Sequence, residues 1–249
     1  MQQQGKQREI AYINHSDRED ENKIPKRGLL GKFIPFAVLI LGLALIVMGT
    51  RGLWSDFLDD FNARSEYKQL RGDFNPPMDL HWLLAINPDA VGWIVIPGTR
   101  VSYPVVQGQD NSKYLNTTFR GVHNPAGAIF MDYRIQQPFF TPTTMIFGHN
   151  MRDGSMFATL NDYLDSTFLQ MHSEVSIYTL DGQVLSYRVM GARQVTAQDA
   201  LFSLDFNSQI PTDFFQSNLE EDAQVLILST CSDGRDRNLR TIVYAVLAP

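Results

Sequence analysis

A chain of 249 residues is long enough for one core of ordinary size plus appendages, since single cores typically run to about 100–200 residues. A formal charge of −6 and a pI near 5.3 argue against a nucleic-acid partner, because neutralising phosphates takes clustered Lys and Arg that the chain lacks. Its one cysteine excludes an internal disulfide, and without a cysteine pair, an HExxH run or a Gly-rich phosphate loop no metal or other cofactor is expected.

The first stretch is Gln-rich and charged with few apolar side chains, too few to offset the entropy of ordering, so residues 1–32 are expected to be a disordered tail on the cytoplasmic side; His15 lies there. Residues 33–50 carry no charge, and at ~1.5 Å per residue a helix of that length spans about 27 Å, close to the hydrocarbon thickness of a bilayer. The apolar stretch is longer than a signal peptide's and lacks a small-x-small cleavage site. Lys23, Lys26, Arg27 and Lys32 precede it and Asp56, Asp59 and Asp60 come after it, with Arg51 the dissenter, so the expectation is a single-pass anchor with the N-terminus in the cytoplasm and the rest outside.

Trp54, Phe57, Leu58 and Phe61 recur at helical spacing, which predicts a helix with that face buried. Asn75, Pro76 and Pro77 end it, and a short second helix is predicted over 78–86, where His81 packs or meets water. Residues 51–90 thus read as a helical brace carrying no site.

From residue 91 to 249 the pattern changes to short β runs punctuated by Gly, Pro, Asn and Asp, which predicts an all-β barrel or sandwich. Strands are expected over 93–96, 101–106, 128–131, 144–147, 175–180, 184–195, 225–231 and 240–247. Asp181 and Gly182, two residues that tolerate positive φ, mark a hairpin turn. Residues 156–164 and 211–219 interrupt the strands as helices.

The sole cysteine, Cys231, ends one apolar run and Arg240 opens the next. If those runs pair as antiparallel neighbours, residues 232–239 connect them and Cys231 and Arg240 share one rim of the sheet. A buried structural thiol is the commoner fate of a free cysteine. Export, uniqueness and a polar strand end with a cation opposite weigh against that fate here. A thiol attacks a carbonyl as thiolate, and with a reference pKa of ~8.5 it needs help, most often from an imidazole. His149 directly succeeds an apolar strand and is the first candidate; His123 and His172 are the next. Arg240 stays charged and suits an oxyanion, whereas Arg235 and Arg237 sit inside the connection and read as solvated loop. Asn150, Asp153 and Ser155 read as turn and cap residues of the helix at 156.

Leu228-Ser229-Thr230-Cys231 followed by Arg240, together with Met145-Ile146-Phe147-Gly148-His149-Asn150-Met151 and Ser155-Met156-Phe157, resembles the signatures of the sortases, membrane-anchored cysteine transpeptidases of Gram-positive cell walls. Residues 127–133 (GAIFMDY), Asp233 two places after the cysteine and a long insert before its strand are similar to class B. The resemblance implies a mostly β fold, a closed eight-stranded barrel with helical insertions behind the N-terminal helices and the transmembrane helix. It implies catalysis by Cys231, His149 and Arg240, with Asp233 supporting them or merely capping a turn. It further implies cleavage of a C-terminal sorting signal after Thr in a secreted protein, a thioacyl intermediate, and transfer to an amine of a lipid-linked peptidoglycan precursor. One alternative is a pilin-polymerising sortase, against which stand the missing Asp-Pro-aromatic lid and second membrane helix. The other is a tethered barrel that binds a ligand without catalysis.

Overall fold

The computed structural model describes residues 29–75, 79–208, 223–231 and 238–249, with residues 29–32, 34, 51–54, 56 and 231 described by their backbone, so that the side chains of Trp54 and Cys231 lie outside the description. Residues 1–28 and the helix expected over 211–219 lie outside the described residues, as do Pro76, Pro77, Met78, Asp233, Arg235 and Arg237. Two compact units are formed, residues 1–51 and 52–249.

A long helix, α1 (Leu29–Asp73), runs through the uncharged stretch. Among the described residues no helix is long and apolar enough to cross a membrane, and the anchor expected over 33–50 is taken up below as a proposal. Within the larger unit the face of α1 that packs is not the expected one. Phe57, Leu58 and Phe61 are exposed, while Ala63, Tyr67 and Leu70 are buried and continue the helical spacing toward Phe74. Phe74 stacks on Trp93 of the barrel with ring centroids 4.4 Å apart. The buried stripe begins only where the helix meets the barrel, so periodicity alone picks the wrong turns. The second helix, α2, is one turn (Trp82–Ile86).

Among the described residues eight strands close a barrel: β1 (Ala90–Val95), β2 (Ser102–Val106), β3 (Ile129–Met131), β4 (Thr143–Phe147), β5 (Glu174–Thr179), β6 (Val184–Thr196), β7 (Val225–Cys231) and β8 (Leu239–Leu247). Their order around the barrel is β1-β2-β3-β4-β7-β8-β6-β5. β2–β3 and β4–β7 are parallel and the other neighbours antiparallel. Strands covered on both sides read as continuous apolar runs rather than alternating ones. Accordingly Val225 to Thr230 of β7 are all buried, whereas β6 at the edge of the core alternates.

Two local expectations are corrected. At the β5–β6 hairpin only Gly182 has positive φ (82°), and its N–H bonds to the carbonyl of Thr179, so Leu180 and Asp181 form an ordinary turn and the glycine alone takes the left-handed position. The helix expected over 156–164 is a 3₁₀ segment, Ala158–Leu164, because Met156 sits at φ 55° and pairs as an isolated bridge with Asn150. A further helix, α3 (Ser166–Met171), comes next; the Asp165 side chain caps it by accepting from the N–H groups of Thr167 and Phe168.

Just beyond β3 the fully buried Asp132 accepts a forked pair from Arg134, Nε to Oδ1 at 2.8 Å and Nη2 to Oδ2 at 2.7 Å, and a third bond from Asn111 at 2.9 Å. Arg134 also donates to the carbonyls of Phe202 and Leu204, tying this loop to the 3₁₀ turn Ala200–Ser203. Burial by itself would raise the Asp132 carboxyl, but the Arg134 fork and Asn111 outweigh it and hold the group below the usual carboxylate range. A folded-state value below the unfolded ~3.9 means the stabilisation is complete above that value and fades as pH falls through the folded one. Asp132→Asn is expected to lose about 2–4 kcal/mol at pH 7, because Arg134 is left without its counter-charge but is partly solvated. In urea titrations the gap between variant and wild type should narrow as the pH is taken below that of a free carboxyl.

Candidate active site

β7 lies between β4 and β8 in the barrel. On one side it pairs with β8 in a register that sets Cys231 opposite Arg240. On the other it runs parallel to β4, with Thr143 beside Val225 and Phe147 beside Ser229. Continuing that register by two residues sets His149 level with Cys231, and the bond from the Gly148 N–H to the Ser229 carbonyl (3.1 Å) carries the pairing past the end of β4. His149, remote in sequence, is thus brought to the rim that Cys231 and Arg240 share, with the cysteine in the middle.

A cavity of about 380 Å³ opens there, lined by Phe130, Phe147, His149, Phe202, Thr230 and Arg240 among others. Its apolar part is a row of aromatic rings: Phe147 packs on Phe130 at 5.2 Å and on Phe202 at 6.4 Å between centroids. Its polar part is the imidazole, the guanidinium and Thr230, whose buried Oγ1 has no hydrogen-bond partner among the described residues. Such a groove offers apolar contact along its length and hydrogen-bond donors at one place, the division of labour that ligand sites generally show.

The sequence explains why the loop after β4 can enter this rim. At Gly148 a Cβ would lie 2.5 Å from Ile129 Cδ1 and 2.7 Å from the Phe157 ring, so only glycine lets the chain pass between them. The Phe157 N–H then bonds back to the His149 carbonyl at 2.8 Å and closes the loop. Asp153 stabilises its turn by accepting from both the N–H and the hydroxyl of Ser155, and its other oxygen meets Arg64 Nε of α1 at 2.6 Å. Asn150, Asp153 and Ser155 are therefore loop-forming residues, as read from the sequence, although the helix they precede starts later.

His149 is half-buried, and its Nε2 lies 2.6 Å from the Leu115 carbonyl oxygen. Arg240 is also half-buried, with Nη1 3.0 Å from the Leu239 carbonyl. The other described histidines are elsewhere: His81 bonds Asp79, His123 forms an isolated β-bridge with Thr117, and His172 caps α3 with Nδ1 3.1 Å from the Pro97 carbonyl. Sequence reasoning does not find Leu115 or Phe202 as parts of the site, and it includes Phe130 and Thr230 only within the motifs that carry the resemblance. Nothing in the spacing of Leu115 and Phe202 marks them; barrel closure brings both to the groove, with the Arg134 tie holding Phe202 there.

A larger cleft, about 580 Å³, is lined by Gly98, Arg100, Asn150, Arg152, Asp162 and Phe168. Size favours it, but it contains no pairing of a nucleophile with an acid–base group, so the smaller groove is the better candidate for chemistry.

A barrel that gathers a strand-end cysteine, an imidazole and a guanidinium at one rim has the parts of a thiol-dependent acyl-transfer enzyme. A family model described as Sortase domain matches residues 94–248. Sortase B of Staphylococcus aureus is 29% identical over 85% of this chain and 95% of its own length. Sortase B of Listeria monocytogenes is 32% identical over 64% and 69% respectively. Among solved structures, a Staphylococcus aureus sortase B–substrate complex has a TM-score of 0.66 at 29% identity, covering 77% of this chain and 98% of that one. The chain belongs to the sortase family, in its class B branch, and is a cysteine transpeptidase; the reading as a non-catalytic binding module is set aside and pilin polymerisation is not favoured.

Gly148→Ala is expected to cost about 1–3 kcal/mol through overpacking against the buried Phe157. Because the strain falls on the residue before His149, transpeptidation should drop more than the shift in thermal midpoint accounts for at temperatures where the variant is folded. Activity assays run beside thermal unfolding check both.

Proposed function

We propose that Cys231 is the nucleophile, His149 the acid–base group and Arg240 the oxyanion donor of this transpeptidase. The single observation that carries the reading is the double register of β7, which has Arg240 as pairing partner on one side and the continuation of β4 toward His149 on the other. The thiolate of Cys231 adds to the carbonyl of the Thr in a sorting signal. Arg240 donates hydrogen bonds to the oxygen as it gains charge. The C–N bond breaks as His149 protonates the departing amine, leaving a thioacyl enzyme. An acceptor amine then attacks the thioester, His149 takes up its proton, and the thiolate leaves with the new amide formed. Asp233, outside the described residues, has two roles open to it in this reading: orienting His149 or Arg240, or capping the turn after Cys231.

The substrate is a secreted protein with a C-terminal sorting signal; that the Staphylococcus aureus sortase B is solved as a complex with its substrate supports a sorting substrate here. The acceptor is the amine of a lipid-linked peptidoglycan precursor. An N-terminal anchor over residues 33–50, with the barrel outside the cell, suits an acceptor that is itself held in the membrane. The uncharged composition of that stretch and its exposed Val38, Leu39, Ile40 and Leu41 support the anchor.

Cys231→Ala is expected to abolish cleavage of a sorting-signal peptide and formation of the thioacyl adduct, read by mass spectrometry; wild-type turnover in that variant would refute the assignment. Arg240→Ala is expected to retain thiol labelling while kcat falls about 10²–10³-fold, the usual loss for one oxyanion donor. On intact cells, added protease should degrade the barrel and spare the N-terminal tail.

A further inference from the structure

The carbonyl of Leu115 is an acceptor only, so the 2.6 Å contact with His149 Nε2 requires that nitrogen to carry the proton. In the neutral ring Nδ1 is then bare and basic, and in the imidazolium the same carbonyl still accepts from Nε2. A histidine in acid–base work needs a fixed orientation and tautomer, which a hydrogen bond to the nitrogen not involved in proton transfer provides.

That carbonyl is held by a short series of contacts that begins on α1. Leu115 ends the 3₁₀ turn Lys113–Leu115. The neighbouring Tyr114 carbonyl accepts from the Ala128 N–H at 3.0 Å, which draws the turn against Gly127. Gly127 sits at φ 58°, and a Cβ there would lie 2.5 Å from the Tyr114 oxygen and 2.7 Å from the Leu115 oxygen. Its own carbonyl accepts from the Tyr67 hydroxyl at 2.6 Å, and that hydroxyl also accepts from the Phe119 N–H. Tyr67 is buried on the packed face of α1, and burial, with Glu66 beside it, raises its hydroxyl well above the ordinary value, so it remains a donor. Two more residues of α1 hold the same loop. Glu66 accepts from Thr118 Oγ1 and the Arg120 N–H, and the Asp59 carbonyl accepts from Asn124 Nδ2.

We propose that the Leu115 carbonyl is the orienting group of His149, keeping one proton on Nε2 so that Nδ1 takes a second proton from the thiol or the acceptor amine and gives it to the departing amine, and that α1 positions this carbonyl through Tyr67 and Gly127. Leu115, Gly127 and Tyr67 are positioning residues, and the helical brace is in this way part of the catalytic apparatus. The inference rests on the assignment of His149 as the acid–base group.

The test is ¹⁵N NMR of the full chain labelled at histidine, with the His149 signals assigned by loss in His149→Gln. A neutral ring protonated at Nε2 is expected; protonation at Nδ1 overturns the proposal. This measurement needs no altered brace, so it stands even if a brace variant does not fold. Tyr67→Phe removes only the hydroxyl. It should mix the tautomers, move the pH profile of kcat/KM, and lower kcat roughly 10- to 100-fold with KM little changed, the scale expected for an imidazole displaced by up to about 1 Å. A folded Tyr67→Phe with wild-type tautomer and pH profile overturns the role of α1. The underlying assignment has its own readout, since wild-type activity in His149→Gln would remove the acid–base role whatever the tautomer.

Discussion

The parallel ladder between β4 and β7 is the constraint on which the rest of the structure depends. Parallel neighbours cannot be joined by a tight turn and need a long crossover. Here β5, β6 and a long stretch of chain intervene between Phe147 and Val225, yet the pairing fixes a constant offset along both strands. That offset turns two remote loops into one rim. Antiparallel pairing of β7 with β8 then adds Arg240 from the other side. Three strands whose main-chain hydrogen bonds hold them in register set the spacing more tightly than loops would.

The barrel fixes the strand ends, and the elements around it fix the loops that leave those ends. The loop that begins at Gly148 is clamped at Asp153 by Arg64 of α1 and by Arg100, which donates to the Asp153 carbonyl. The loop from Asn116 to Gly127 is clamped by Asp59, Glu66 and Tyr67 of the same helix. The floor of the groove is fastened by Arg134, whose guanidinium links buried Asp132 to the carbonyls of Phe202 and Leu204. Most of these clamps run between a side chain and a main-chain atom or a buried charge, which leaves loops little freedom to drift. The part of α1 beyond residue 52 is thus built into the larger unit, and is not only a spacer before it.

Much of the fold is legible because central strands of a covered sheet leave a plain mark. The stretches ending at Phe147 and Cys231 and beginning at Arg240 are runs of apolar residues bounded by polar ones, and they fall within a residue of the observed strands. Pattern and structure part where a local signal meets a tertiary demand. Phe57, Leu58 and Phe61 have helical spacing but lie before the helix reaches the barrel, so the buried stripe starts at Ala63 instead. Periodicity places Met156 in a helix, but its N–H donates to the Tyr103 hydroxyl and its positive φ delays the helical turn.

By itself the sequence determined the strand runs, the acidic charge balance, and the presence of one cysteine, a strand-end histidine and a strand-opening arginine. Those arise from local composition and periodicity, which residues a few places apart can express. Only the tertiary structure decided that Leu115 faces the imidazole, that Gly127 must lack a side chain, and that Tyr67 reaches from α1 to the loop behind the site. These are contacts of main-chain carbonyls and of a buried hydroxyl across as many as 60 residues, and a carbonyl has no letter in the sequence.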